Sequence, residues 1–410
     1  MTGANEKYRF RRPDFVTKAR RSVSRKPTWA KIVPHVLPIY QTSVYDYPDL
    51  EALDDYYNGL IPGGYIYSRN GLPNSEELGN QVARFEGAEG GVVCSSGMAA
   101  ISVLLLANLK RGDNIVASSD LYGGTTVLLG EEFSRLGIRT TFADARNLEK
   151  VKDAIARQRP KLVLVETISN PTMKVCDIAE IARTTHRMGA LLAVDNTFAT
   201  PFVVRPIELG ADIVMHSGTK FLGGHSDLTI GILCGDKKMV KRMSQVSTRF
   251  GAIAGPFDCW LASRSLSTWR VRMVNSCANA MKLAEYLASR KDMISRVYYP
   301  GLASDPGHRV AEKMFYPTMF GGMLSFDLKG GLRAANTFIR ELSRVTLTPS
   351  LGGVRTTISH PGKTSHRHIT QTQRIESGIS DAMIRVSAGI EEYRGIQDDF
   401  AAALNATESS

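Results

Sequence analysis

Ala211-Asp-Ile-Val-Met-His-Ser-Gly-Thr-Lys220-Phe-Leu-Gly-Gly-His-Ser-Asp227 decides the reading of this chain. Ile213-Val-Met215 is a short apolar run, the pattern of a buried strand. It breaks into Ser217-Gly-Thr219-Lys220, small hydroxyls beside one lysine at the strand exit. Hydroxyls donate to phosphate oxygens, and an amine condenses with an aldehyde, so the segment suits a Schiff base beside a bound phosphate. Pyridoxal phosphate carries both groups. Taken alone, the stretch also describes a solvated lysine in a Gly-rich turn.

A second piece lies upstream. Gly189-Ala-Leu-Leu-Ala-Val-Asp195-Asn-Thr197-Phe is a strand pattern ending in an acid, 25 residues before Lys220. That separation leaves room for one crossover and the next strand. A carboxylate at such a strand end holds a pyridine nitrogen protonated and makes the ring an electron sink. An aspartate that only caps a turn gives the same pattern.

His216-Ser-Gly-Thr-Lys-Phe-Leu-Gly-Gly-His-Ser-Asp227, following Val194-Asp-Asn-Thr-Phe-Ala-Thr-Pro201, resembles the pyridoxal-phosphate enzymes of cysteine and methionine metabolism. That family contains cystathionine gamma-synthase, cystathionine gamma- and beta-lyases, methionine gamma-lyase and the homoserine sulfhydrylases. The likeness covers about residues 35–400, with the motifs in family order. It implies an α/β chain of the type I, aspartate aminotransferase-like transferase fold. A large domain with a mostly parallel sheet is expected at 66–265 and a smaller α/β domain at 266–402. An N-terminal arm at 1–65 would contact a neighbouring subunit, and 403–410 would be a frayed tail.

Length and composition agree with two domains: 410 residues, 43% hydrophobic and 22% charged, as in ordinary globular chains. No apolar run reaches membrane-span length; the best, Gly91–Ala107, is interrupted by Ser95-Ser-Gly97. The N-terminus has no apolar core of a secretory signal. The net charge of +11 gathers in residues 1–31, which hold ten lysines and arginines against Glu6 and Asp14. A nucleic-acid arm or a transit peptide has that bias, but aromatic interleaving and a clear amphipathic helix are missing, which favours a solvated arm on a neighbouring subunit. Cys94, Cys176, Cys234, Cys259 and Cys277 form no C-x-x-C pair, which suits a reducing cytoplasm. Nor does any Cys/His cluster have zinc-ligand spacing, so no metal is expected.

Along the chain, residues 75–265 alternate helical and strand patterns. Glu76–Phe85 reads as a helix and Gly91–Cys94 as a strand, after which Ser95-Ser96-Gly97-Met98 opens a helix whose amides can hold an anion. Asn114–Ala117 and Leu162–Glu166 read as strands, a long helix is expected over about Thr268–Ser289, and Gly321–Leu328 alternates as a strand.

The resemblance implies the site. Ser96, Gly97 and Met98 would form the phosphate cup, with Ser217, Thr219 and Thr197 also around the cofactor. Tyr67 and Arg69, in Gly63-Gly-Tyr-Ile-Tyr67-Ser-Arg69, would reach a neighbouring subunit's site and bind its phosphate. A planar arginine fork matches phosphate geometry. Tyr122 would stack on the ring, and Glu166 and Asn170 would support it, Asn170 near the phenolic oxygen. Arg385 would hold the substrate α-carboxylate, with Ser350, Arg355 and Thr356 also on the substrate side. Lys220, Tyr122 and Tyr67 are the expected catalytic groups.

Several positions depart from the family. Leu72 and Asn74 replace its Asn and Thr; Val127 stands where cystathionine gamma-lyases usually have Arg; Gly124 stands where methionine gamma-lyases have Cys. Ser265 and Ser267 replace Gly and Lys in Arg264–Met273, and Arg355-Thr356 follows Ser350-Leu-Gly-Gly where many members have Glu-Ser. The implied activity is γ-elimination or γ-replacement on a γ-substituted amino acid. The leaving group is a thiol or a homoserine oxygen substituent (O-acyl, O-phospho or O-guanidino). β-Elimination or aminotransfer on the same cofactor is the alternative, and a non-catalytic cofactor-binding protein would not need the carboxylate clamp. A cytoplasmic homotetramer, a dimer of dimers with sites shared between subunits, is expected, with no nucleic-acid or membrane partner.

Overall fold

The computed structural model describes residues 34–367 and 370–408. The basic segment 1–31 lies outside the described residues, so the reading of it as a subunit-contacting arm is not addressed there.

Seven strands form the large sheet: β1 (Gly90–Cys94), β2 (Asn114–Ser118), β3 (Arg139–Ala143), β4 (Leu162–Glu166), β5 (Leu191–Asp195), β6 (Ile213–Ser217) and β7 (Gly231–Gly235). Their spatial order is β1-β7-β6-β5-β4-β2-β3. All neighbours run parallel except β7, which is antiparallel to both β1 and β6. Parallel neighbours require crossovers, and the intervening helices cover both faces. That is why β4, Leu-Val-Leu-Val-Glu, is buried along its whole length. Period-two alternation sends Val163, Val165, Leu192 and Val194 to the core on one face. Leu162, Leu164 and Ala193 go to the core on the other, under the apolar helix Gly97–Asn108. The 13 residues from Gly218 to Ile230 join β6 to β7 without a helix, so half-buried Lys220 lies at the C-terminal edge of the sheet rather than inside a crossover helix.

The second sheet has the order β10-β11-β12-β9-β8, from β8 (Ile294–Tyr298), β9 (Met323–Leu328), β10 (Thr346–Leu347), β11 (Thr357–Ser359) and β12 (Met383–Ser387). It is antiparallel except for the short β10–β11 pair. On β12, Ile384 and Val386 enter the core of this sheet, so Arg385 and Ser387 face the other way, toward the large sheet's edge. The helix Trp269–Ser289 belongs to both cores: Trp269, Met273 and Cys277 pack into the first, Ala280, Leu283 and Leu287 into the second.

One expectation needs correction. The tail expected to fray from 403 is helical to Glu408, because Ala403 and Leu404 are buried against the small sheet. Within the stretch before 66, Leu50–Tyr57 is a helix capped by Asp49, whose side chain accepts from Ala52 N at 2.7 Å. None of its residues is buried, and Leu50, Tyr57 and Leu60 are exposed.

Candidate active site

The C-terminal ends of β1, β2, β4, β5 and β6 open on one edge, where parallel sheets bind ligands. Lys220 follows β6 in a tight turn: its amide donates to Ser217 O at 3.1 Å and its carbonyl accepts from Gly224 N at 2.7 Å. On the small-sheet side, a Cβ on Gly352 would lie 2.6 Å from Phe221 N and 2.9 Å from the Lys220 carbonyl carbon. Only a glycine there lets Ser350-Leu-Gly-Gly pack onto the lysine backbone. Lys220 Nζ donates to Ser350 Oγ at 3.4 Å. Burial, and then the positive charge of Arg385, depress the Lys220 ammonium below its ordinary range.

Glu166 and Asp195 face each other across the β4–β5 ladder. Burial raises both carboxyls, Glu166 well above its usual range and further because Asp195 is close. Glu166 Oε1 accepts from Tyr122 N at 2.6 Å and so anchors the loop that carries Tyr122. Asp195 Oδ1 accepts from Thr197 N at 2.9 Å. Thr197 Oγ1 in turn accepts from Ser217 N at 2.9 Å, tying the ends of β5 and β6 together.

Beside them begins the helix Gly97–Asn108. Ser96 is its N-cap, with Oγ accepting from Ala99 N at 3.0 Å. A Cβ on Gly97 would stand 2.9 Å from Ser217 Cβ and Oγ, so the helix start and the Ser217 hydroxyl form one cradle. Free amides and the helix dipole favour an anion there. A Cβ on Gly124 would lie 2.6 Å from the Tyr122 ring and 3.3 Å from Met98 Sδ, which puts Tyr122 and Met98 on the same rim. Side chains larger than glycine at 124 meet that ring.

Opposite the lysine, Arg385 is 4% exposed. Its Nη1 donates to Asn170 Oδ1 at 2.8 Å and its Nη2 to Ser350 O at 3.2 Å, while Nε has no hydrogen-bond partner among the described residues. Burial lowers the guanidinium to about 10. Asn170 was expected at the phenolic oxygen of the ring; its carbonyl is spent on Arg385, which leaves the amide NH2 as its donor toward the ring. The 166–172 loop is pinned by Ser325 Oγ donating to Pro171 O at 2.7 Å.

The structure separates other expected residues from this group. Thr219 was placed at the phosphate, but its Oγ1 donates to Ile230 O at 3.3 Å and accepts from Ile230 N at 2.9 Å, clamping the turn. Ser96 Oγ accepts from Ala99 N as the helix cap, which leaves its O–H as a donor toward the cup. Thr356 was placed on the substrate; it is 1% exposed, with Oγ1 donating to Glu391 Oε2 at 2.8 Å and accepting from Gly389 N at 2.9 Å. Its neighbour Arg355 is exposed and has no hydrogen bond or ion pair among the described residues. Tyr67 and Arg69 are not brought to Lys220 within the chain: Arg69 stacks over the Tyr67 ring at 5.5 Å and touches the carbonyl of Thr248 at 3.4 Å.

One buried network went unread in the sequence. His216 Nε2 and Glu86 Oε1 are 2.7 Å apart, and Asn196 Nδ2 donates to the same oxygen at 2.9 Å, all three at 0% exposure. The signal was an acid, Glu86, closing an otherwise apolar helix face.

This edge suits a group that brings a cation to Asp195, an anion to the Gly97 helix start and an aldehyde to Lys220. Pyridoxal phosphate is that group, and the fold around it is that of the type I, aspartate aminotransferase-like enzymes that depend on it. The sequence model of the Cys/Met metabolism PLP-dependent enzymes matches residues 21–405, and the chain belongs to that family. It is 39% identical over 371 residues to an L-methionine gamma-lyase of Fusobacterium nucleatum subsp. polymorphum, covering 90% of this chain and 93% of that protein. It is 41% identical over 370 residues to a cystathionine beta-lyase of Lactococcus lactis subsp. cremoris (strain MG1363), with the same coverage. The crystal structure of cystathionine gamma synthase from Xanthomonas oryzae pv. oryzae in complex with cystathionine superposes with a TM-score of 0.89 at 35% identity, covering 96% of this chain and 98% of that one. The chain is a pyridoxal-phosphate-dependent enzyme of the γ-elimination and γ-replacement group. Among the described residues, no helix is long and apolar enough to cross a membrane.

Proposed function

We propose that this enzyme removes or replaces the γ-substituent of an α-amino acid, with Lys220 as the proton carrier and Arg385 as the carboxylate clamp. The observation that carries the reading is Ser350, whose hydroxyl takes the Lys220 amine while its carbonyl takes Arg385. The two groups that must meet one substrate are thereby held to one residue.

When bound, pyridoxal phosphate supplies an aldehyde for amines and a ring that withdraws electrons. The chain's residues do the rest. Arg385 binds the α-carboxylate through Nε, the atom without a partner, and a guanidinium edge. Lys220, its ammonium already disfavoured by burial and by Arg385, takes the α-proton as a neutral amine and returns it on the γ side. Asp195 holds a proton on the ring nitrogen; the positive charge of that nitrogen offsets the burial that raises the carboxyl. Tyr122, half exposed over Gly124, shields the ring and passes a proton to the leaving group. The amides of Gly97 and Met98 and the Ser217 hydroxyl bind phosphate. Arg69 and Tyr67 of a second copy complete that cup. Support for this sharing is that Arg69 bonds Thr248 O and stacks on Tyr67 rather than on the site, and that Val36, Val44, Leu50 and Leu60 on the same arm are exposed apolar residues. A dimer with two shared sites follows from that reading, and the family resemblance extends it to a homotetramer, a dimer of such dimers. The two cores, joined by the helix Trp269–Ser289, support a division into a cofactor-binding unit and a substrate unit. Five cysteines, all free and buried, support a cytoplasmic setting.

β-Elimination is the second reading, favoured by the 41% identity to a cystathionine beta-lyase. One experiment separates the two. The holoenzyme is incubated with cystathionine, methionine and O-succinylhomoserine, and 2-oxobutanoate and pyruvate are measured apart. 2-Oxobutanoate with ammonia supports γ-elimination; pyruvate with homocysteine from cystathionine overturns it in favour of β-elimination. Amino transfer to a 2-oxo acid, without ammonia, overturns both.

A further inference from the structure

Arg272, Ser276 and Asn279 lie at i, i+4 and i+7 of the helix Trp269–Ser289, one above another on a single face. They are 6%, 3% and 7% exposed. All three donate to backbone carbonyls, and the carbonyls belong to two different places. Arg272 Nη1 donates to Phe221 O at 2.7 Å and Nη2 to Leu222 O at 3.1 Å, the first and second residues after Lys220. Nη2 also reaches Ser265 O at 3.0 Å, and Nε reaches Thr268 Oγ1 at 3.3 Å. Ser276 Oγ donates to Ala388 O at 2.6 Å, and Asn279 Nδ2 donates to Gly389 O at 3.1 Å and Glu391 O at 2.9 Å, just past Arg385.

We propose that Arg272, Ser276 and Asn279 are positioning residues: a polar strut along one helix that fixes the Lys220 turn at one end and the exit of the Arg385 strand at the other. The inference rests on the reading of Lys220 and Arg385 given above.

Three features point beyond packing. Arg272 is a buried cation with no carboxylate partner among the described residues, an expensive way to fill space that an apolar side chain fills at less cost. Room for its guanidinium is made by Gly224, which has φ +74° and whose Cβ would fall on the arginine head. The turn therefore depends on an arginine and a glycine that arrive from elements about fifty residues apart. Finally, the helix packs into both cores, so the separation of its two ends is rigid while each sheet is free to differ. A proton carrier and a carboxylate clamp acting on one substrate need that rigidity, since misplacement by about 1 Å can cost about 100-fold in rate.

The two ends of the strut predict opposite kinetic signatures. Arg272→Lys keeps the charge but replaces a fork by a single head. In the holoenzyme at saturating cofactor it lowers the visible band of lysine-linked cofactor, and kcat falls about 30-fold with KM within about threefold. Ser276→Ala and Asn279→Ala leave the band intact and raise KM about 5- to 20-fold, with kcat within about threefold, because the clamp moves and the lysine does not. Binding of alanine, followed by its shift of the visible band, weakens in the second pair and not in the first. Thermal unfolding is followed for each variant. The proposal is overturned if Arg272→Lys lowers Tm while band and kcat stay within twofold, or if all three variants change kcat and KM alike. Arg272→Met, if it folds, deepens the Arg272→Lys defect; if it does not fold, the other three variants decide. Lys220→Ala is the control for the underlying reading: a retained lysine-linked band there refutes the site assignment itself, whatever the strut variants do.

Discussion

At the edge of the seven-stranded sheet, Asp195, Glu166, Lys220 and Ser217 sit among backbone amides, and each has its loop tied to a neighbouring strand end. Along Ser350–Thr357, on the small sheet, the backbone is tied but one side chain is not: Gly352 N donates to Ser387 Oγ at 2.8 Å, Val354 N to Gly224 O at 2.9 Å and Thr356 to Glu391, while Arg355 is exposed and has no side-chain partner among the described residues. Charges at the first place are desolvated and shift by burial; at the second they are screened by water. Chemistry common to a whole enzyme family belongs where geometry is over-determined, and substrate choice belongs where one side chain can change without disturbing a fold.

The sharpest way to break this contrast is at the floor. Lys220→Ala is expected to abolish the visible band and to reduce turnover by at least about 1,000-fold, the range of a lost acid–base group. A surviving band in the absorption spectrum would move the chemistry elsewhere.

Arg385 stands between the two regions. Truncating one side of a buried, bonded charge pair costs about 2–5 kcal/mol, so Arg385→Leu should lower kcat/KM by about 30- to 4,000-fold, chiefly through KM. Steady-state kinetics with one γ-substituted substrate checks this. A kcat effect without a KM effect would remove the clamp.

Arg385 also acts on Lys220 through charge. Burial first, and then that positive field, disfavour the ammonium, so the cofactor-free protein should capture pyridoxal phosphate at Lys220 with an acid limb whose midpoint lies below 10.5. Removing that positive charge stabilises the ammonium, and Arg385→Gln should move the midpoint up. The rate of band formation against pH reads the sign; a downward movement contradicts it.

The arm gives a smaller signal. Arg69→Ala and Lys220→Ala, each inactive alone, should recover activity on mixing, to at most about a quarter of native sites, because each mixed dimer has one complete site of two. Proven subunit exchange without recovery would place Arg69 in its own chain's site.

The mouth gives the smallest effect. Because Arg355 is exposed, its pairing with a distal anionic group is worth less than about 1 kcal/mol. Arg355→Glu should therefore lower kcat/KM for O-succinylhomoserine less than about sixfold relative to a neutral γ-substituted analogue. Equal effects on both substrates would take Arg355 out of substrate choice.

Where the sequence was read well, the signal was local. The expected strands 114–117 and 162–166 and the helix 268–289 appear within a residue or so, as β2, β4 and Trp269–Ser289. The first two are apolar runs bounded by turns, and the helix keeps a sustained period. Period two alone puts Arg385 on the face opposite Ile384 and Val386. Less legible was where a hydroxyl bonds: Thr219 donates to Ile230 O and Thr356 to Glu391, partners far along the chain. The Ala403-Leu404 pair near the terminus looked like tail because the cavity it fills is built by strands far upstream.

The sequence by itself determined the chemistry by resemblance: a lysine after one strand, an acid after another and a glycine-opened helix stand in the order of the pyridoxal-phosphate enzymes of cysteine and methionine metabolism. These depend on side-chain period and turn chemistry, which near neighbours in the chain decide. Only the tertiary structure decided which polar groups face the cofactor and which hold the frame, because a hydroxyl or guanidinium bonds whichever carbonyl the fold brings to it. For Arg272 those carbonyls come from a turn fifty residues away in sequence, and burial then makes the contact too costly to leave unmade.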